Sequence, residues 1–166
     1  MPEAKTRKAV ARDKRQGKAA STQAGEFVRE EMEHVRKGKH GARSAKQAIA
    51  IGLSEARRAG VDLSAPSAGK TSPETRAKAQ RDHARGRGAP RRSTATPKRA
   101  RASENALKRE SSAAASPGAL SRQARSAAAR RPPAERAAAA RRASQTKGAR
   151  GRSAAAKRAA RTRRSG

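Results

Sequence analysis

The chain has 166 residues, of which 43 are Lys or Arg and 13 are Asp or Glu, for a net charge of +30. Hydrophobic residues make up 33%, yet 42 of them are Ala and only 13 are Val, Ile, Leu, Met or Phe. The absence of Cys, Trp and Tyr excludes disulfides, thiolate zinc sites, Cys nucleophiles and the aromatic platforms on which single-stranded nucleic acids stack.

Fully burying a Leu or Phe side chain contributes roughly 1.5 to 3 kcal/mol, whereas ordering each residue costs about 1 to 2 kcal/mol of backbone entropy. Thirteen such side chains set against 166 residues predict a largely disordered chain. Nine of the 13 lie between positions 21 and 63, and only Leu107 and Leu120 follow Leu63. Charge divides similarly: residues 1 to 70 hold 16 basic and 8 acidic side chains, and residues 71 to 166 hold 27 and 5. The expected architecture is a small all-α head, a helical hairpin with a third N-terminal helix, followed by a long disordered Ala/Arg-rich basic tail with nascent helices. Its segments are a weakly helical basic stretch over 1–20, the hairpin over 21–63 and the tail over 64–166.

Residues 1–18 suit a frayed helix, with Pro2 tolerated in the first turn and Val10 the only large apolar residue after Met1. Ser21 or Thr22 can cap the next helix, in which Ala24, Val28, Met32 and Val35 form an apolar stripe. Gly38 ends it. Ser44 and Gln47 then stand at capping-box spacing before Ala45, Ala48, Ile49, Gly52, Leu53 and Ala56, which share one face. Gly60 suits a left-handed stop, with Val61 folding back on Ala56. Ile51 lies about 200° round the helix from Ile49, a second apolar surface suited to a homodimer or a protein partner.

Beyond Ser64, seven prolines cut the chain into short pieces, since proline lacks the amide proton and disfavours helix in the residue before it. Ser121 to Arg131, Ala134 to Ala143 and Arg152 to Arg164 have high helix propensity but repelling charges, so helix is expected there on binding a polyanion.

The tail carries the main functional signal. Arg outnumbers Lys 30 to 13 in the chain, and guanidinium makes forked contacts to phosphate. The candidate phosphate-binding residues are Arg91, Arg92, Lys98, Arg99, Arg101, Arg122, Arg125, Arg130, Arg131, Arg141, Arg142, Arg150, Arg152, Lys157, Arg158, Arg161, Arg163 and Arg164. Without stacking aromatics, backbone-directed binding to duplex DNA is the leading expectation, and structured RNA offers the same phosphates. A groove-reading second helix would have only Lys46, Gln47, Arg57 and Arg58 to use.

Other motifs carry less. Gly69-Lys70-Thr71 resembles the end of a phosphate loop but has Ser64 where the first Gly belongs. His34, His40 and His83 lack metal-ligand spacing and read as exposed polar residues. Glu30, Glu31 and Glu33 read as a solvated helix face paired with Arg or Lys. Neither enzyme activity, metal nor cofactor is expected. Arg141-Arg142-Ala143-Ser144 would suit a basophilic kinase.

The Gly38-Lys39-His40-Gly41 turn and the unbroken Lys46-Gln47-Ala48-Ile49-Ala50-Ile51-Gly52-Leu53-Ser54-Glu55-Ala56 helix motif resemble a small bacterial and phage family of unknown function. The resemblance covers residues 1–65 and implies a bacterial source. The tail is similar to the basic arms of linker histones and bacterial histone-like proteins, with Thr96-Pro97-Lys98-Arg99 close to their Thr-Pro-Lys-Lys element, although Arg replaces much of their Lys. Together these readings predict a histone-like protein that coats or compacts DNA. Met1 to Val10 has no apolar signal run, and no stretch approaches the roughly 20 apolar residues of a membrane span. A cytoplasmic location on the bacterial nucleoid, with no membrane partner, follows as the expectation.

Overall fold

The computed structural model describes residues 2–89 and 96–164. Every regular element among them is helical: α1 (Ala4–Arg15), α2 (Ala20–Arg36), α3 (Ala45–Arg58), α4 (Pro73–Gly86), α5 (Pro97–Arg109), a 3₁₀ turn (Ser112–Ala115), α6 (Pro117–Ala129) and α7 (Pro133–Arg164). The chain divides into two compact units, 1–123 and 124–166.

The predicted hairpin is the centre of the first unit, with α2 and α3 packed together. The apolar stripes face inward as the spacing requires. Ala24, Met32 and Val35 are buried on α2, and Ala45, Ala48, Gly52 and Ala56 on α3. The two helices approach most closely at Gly52, where a Cβ would lie 2.8 Å from Val28 Cα. Either side of that point sits a small core. Met32, Val35, Ala42 and Ala48 join Ala114 and Ala115 at the loop end, while Ala24, Phe27, Ala56 and Val61 pack at the other, with Val10 and Leu63 against them.

The helix ends follow local chemistry. Ser44 Oγ accepts the Gln47 amide at 3.2 Å, and Gln47 Oε1 accepts from Arg43 N–H, one residue before the helix cap. Gly38 (φ +69°) and Gly60 (φ +86°) take the left-handed conformation. Lys39 N–H then reaches His34 O and Val61 N–H reaches Ala56 O, the six-to-one bond of a Schellman stop. The start of α2 differs from expectation. It begins at Ala20 behind Ala19, with no side-chain cap, so neither Ser21 nor Thr22 caps it.

A long disordered tail is not what the chain forms. Helices α4 to α7 continue past residue 63, and four of the seven prolines that were expected to break the chain begin them. Pro73, Pro97, Pro117 and Pro133 each occupy the first helical residue, where the missing amide proton costs nothing and the fixed φ already suits the helix. Ser72 Oγ, Thr96 Oγ1 and Ser116 Oγ accept backbone N–H groups of Thr75, Arg99 and Ala119, capping three of the four. Ala and Arg supply the interior with little loss of side-chain entropy.

Part of this region is held by tertiary contact. Helix α4 packs on α3, with Gly86 set so tightly against the Arg57 carbonyl that no Cβ fits. The 3₁₀ turn packs on both hairpin helices. Gly41 N–H donates to Leu107 O at 2.8 Å, Ala42 N–H to Ser111 O at 3.1 Å and Arg36 Nε–H to Ala115 O at 2.9 Å. Helix α1 packs on α2, burying Thr6, Ala9 and Asp13. Asp13 is held by Lys18 at 2.7 Å. Ile51 is half-buried on α3. In the second unit α7 breaks at Gly148 (φ 58°, ψ 175°), a conformation open in practice to glycine alone.

Two alanine substitutions should therefore move stability in opposite directions. Gly25, exposed in the middle of α2, has nothing within 4 Å of the place an added methyl would take, so Gly25→Ala should stabilise by up to about 1 kcal/mol. Gly52→Ala makes the same propensity gain but pushes a methyl into the α2 backbone, for a net loss of about 1 to 2 kcal/mol. Urea unfolding of the two variants measures both; a stabilised Gly52→Ala would contradict the close helix approach.

Candidate nucleic-acid interface

The predicted cations whose side chains are described are all exposed. Lys98, Arg99 and Arg101 are exposed on α5, and Arg122 and Arg125 on α6. Arg130 and Arg131 are exposed between α6 and α7, and Arg141, Arg142, Lys157, Arg158 and Arg161 on α7. Arg91 and Arg92 lie outside the described residues, as do the side chains of Arg150, Arg152, Arg163 and Arg164. Residues 124–166 contain 14 basic residues and one acidic residue, Glu135. Such a segment has almost no internal carboxylate to neutralise its guanidinium groups.

A further basic stripe lies in the head. Lys5, Lys8, Arg12 and Arg15 recur on α1 at spacings of three, four and three, all exposed on one face. With Arg29 of α2 they line an open concavity of about 610 Å³. The same helical spacing that locates an apolar stripe would have located this one, had it been applied to cations. Between α1, α3 and α4 a second groove of about 770 Å³ carries Arg7, Arg58 and Arg85 around Val10 and Phe27.

Arg57 belongs to the interior. It is 6% exposed, and its guanidinium donates to Leu63 O at 3.1 Å and Ser64 O at 3.3 Å, with Leu53 O 3.5 Å away, tying the chain leaving α3 back onto the helix. Burial lowers its pKa from the ordinary value, opposed by the negative charge of Asp82 on α4. A side chain so placed does not reach a base edge. Of the four residues available for groove reading, Gln47 is also engaged, at Arg43 N–H, while Lys46 and Arg58 are exposed.

Glu30 and Glu31 do not form a solvated face either, being 5% and 2% exposed. Helices α1 and α3 and the 3₁₀ turn all pack on α2, so its polar side is covered as well as its apolar stripe. Glu33 alone of the three matches the expected surface pairing, 3.6 Å from Lys37. Around the two buried carboxylates gather His34 and His40, which are only 19% and 22% exposed at their side chains. Glu31 Oε2 is 3.5 Å from His40 Nε2, and Glu30 Oε1 is 3.8 Å from His34 Nε2. Glu30 Oε1 accepts the Glu3 amide at 2.9 Å, and Glu3 Oε1 lies 3.0 Å from His34 Nε2 and 2.8 Å from Lys39 Nζ. Lys39, then His34, bring the Glu3 carboxyl down to about 2. Burial does the opposite to Glu31, raising its pKa despite the pull of His40. Sequence spacing concealed this cluster because His40 comes from the loop after α2 and Glu3 from the far end of α1. His83 stands apart, 2.8 Å from Asp62.

Residues 15–65, from the end of α1 through the hairpin, match a family of unknown function (DUF6496). No curated protein and no solved structure matches the chain. No helix among the described residues is long and apolar enough to cross a membrane.

Adjacent arginines should respond oppositely to truncation. Arg57→Ala removes the side-chain donor from Leu63 O and Ser64 O and empties a buried site, and should cost about 2 to 3 kcal/mol, whereas Arg58→Ala, on the exposed side, should stay within about 0.5 kcal/mol of the parent. Thermal and urea denaturation of the pair test the assignment of Arg57 to the interior.

Proposed function

We propose that this protein binds nucleic acid through phosphate contacts, with duplex DNA as its principal partner, and that it coats or compacts DNA in a histone-like manner. The observation that carries this reading is the four-residue stripe of exposed cations on α1 together with the charge of residues 124–166, where 14 basic residues stand against one acidic and those described are exposed. The major groove of B-DNA admits an α-helix, and an Ala-rich helix can approach the backbone closely while Arg side chains reach phosphates on either side. Contact with phosphate carries no sequence information, and the burial of Arg57 leaves α3 poorly equipped for base readout. The reading is of a binding protein rather than an enzyme, located on the bacterial nucleoid. Structured RNA presents the same charge and is the natural competitor.

Duplexes of unrelated sequence should bind within a few fold of one another. Affinity for all of them should fall by about 10³ to 10⁵ fold between 50 and 200 mM salt if 6 to 10 phosphates are contacted. Truncation after Gln123 removes 14 of the 43 basic residues and should weaken binding and flatten the salt slope. Replacing Lys5, Lys8, Arg12 and Arg15 together by Gln should flatten it further. Competition titrations at two salt concentrations, with an RNA hairpin as one competitor, measure all of this. One duplex preferred more than a hundredfold would overturn the nonspecific reading, and a preference of that size for the RNA would transfer the function to RNA.

A further inference from the structure

Eight of the 13 carboxylates lie within residues 1–70, and three of them, Glu3, Glu30 and Glu31, surround His34 and His40, two of the three histidines in the chain. A fourth, Glu55 of α3, is close enough to act on Glu31 electrostatically. In a protein with a net charge of +30 this is a local concentration of negative charge and imidazole inside the fold. Internal pairing leaves it unsatisfied. Glu31 Oε1 and Glu30 Oε2 are buried and have no hydrogen-bond partner. The 3.5 Å between Glu31 Oε2 and His40 Nε2 exceeds the roughly 2.7 to 3.2 Å of a hydrogen bond.

That same distance is natural for two ligands of one ion. Zinc–nitrogen and zinc–oxygen bonds of about 2.0 to 2.2 Å place neighbouring tetrahedral donors about 3.3 to 3.6 Å apart. Glu31, His34 and His40 each offer a donor atom, and the three lie within 4.8 Å of one another. Side-chain shifts of about an ångström complete the set, well within the reach of rotamer adjustment.

We propose that Glu31, His34 and His40 form a binding site for a divalent transition-metal ion of the Zn²⁺ class, with water completing a tetrahedral shell. Two imidazoles and a carboxylate form a donor set suited to Zn²⁺ and its borderline neighbours rather than to Ca²⁺ or Mg²⁺, which take oxygen ligands. Glu31 and His34, three residues apart on α2, project from one face, and His40 closes the site from the loop. The His40 ring is already oriented. Its Nδ1 lies 3.1 Å from Gly41 O, so Nδ1–H donates to the carbonyl and Nε2, which faces Glu31, is the ring nitrogen left for an ion. Gly41 N–H in turn donates to Leu107 O in α5, and Ala42 N–H to Ser111 O just after it. The ion would therefore join α2, the α2–α3 loop and, through that loop, the segment after α5. Glu3 and Glu30, at 3.0 and 3.8 Å from His34 Nε2, add negative potential beside it.

The test uses the full chain, free of tags and nucleic acid and stripped with chelator. Titration with ZnCl₂ should give one ion per chain and raise the thermal midpoint, and CoCl₂ should develop the visible absorption of a tetrahedral ion. His34→Ala and His40→Ala should each weaken Zn²⁺ binding by at least about 100-fold, the upper end of what losing an outer-shell partner costs. His83→Ala should bind as the parent does. Glu31→Gln keeps the shape of the side chain and should also lose tight binding. In the unmodified protein, Zn²⁺ should shift the ring resonances of His34 and His40 and leave those of His83 in place, a readout that needs no variant to fold. Absence of stoichiometric binding, unchanged affinity in the His34 and His40 variants, or a shift confined to His83 would overturn the proposal.

Discussion

The structure depends on the close approach of α2 and α3 at Gly52. A core made chiefly of alanine has little side-chain volume to bridge two helices, so the backbones themselves must come near. Gly52 permits this by placing no atom between α3 and the Phe27–Val28 segment. Ala48 and Ala56, one turn to either side, are completely buried as a result. The two small apolar clusters at the ends of the hairpin exist because its middle is closed by glycine. Dispersion contacts among close backbones then supply what a chain with 13 larger apolar side chains cannot gain from volume.

The approach recurs where other elements join. Gly86 lets α4 meet the end of α3, and Gly41 lets the loop accept the segment after α5, each with no space for a Cβ. Backbone hydrogen bonds and the three carbonyl contacts of Arg57 add direction to these junctions. With α1, α3 and the 3₁₀ turn all against it, α2 is left with little solvated circumference. Glu30 and Glu31 are consequently enclosed, and their nearest charged compensation is histidine rather than the abundant Arg and Lys. A chain with a large excess of cations thus keeps a pocket of negative charge around Glu30 and Glu31 while α1, α5, α6 and α7 display exposed positive charge.

Much of this was legible in the sequence. Helical periodicity located both faces of the hairpin, Ser44 and Gln47 marked the start of α3, and Gly38 and Gly60 marked the stops, because caps and stripes depend on residues only a few positions apart. The signals at Ser72-Pro73, Thr96-Pro97 and Ser116-Pro117 were equally local, a capping hydroxyl followed by proline at the first helical residue. Weighting proline as a breaker hid them, and composition then suggested disorder where the chain forms α4 to α7. The cationic stripe of α1 was likewise present in the spacing of Lys5, Lys8, Arg12 and Arg15.

By itself, then, the sequence determined the hairpin, its apolar faces, the start of α3, the stops at Gly38 and Gly60 and the excess of cations in the later half, since each follows from short-range geometry or from counting charge. Tertiary structure alone decided that Arg57 turns inward to bind carbonyls and that Glu30 and Glu31 lose their water. It also decided that His40, nine residues along the chain from Glu31 and separated from it by a loop, faces it at 3.5 Å. The physical reason is that burial of a polar residue is set by what packs over its helix, and on α2 the covering elements come from residues 4–15, 45–58 and 112–115, whose approach no local pattern encodes.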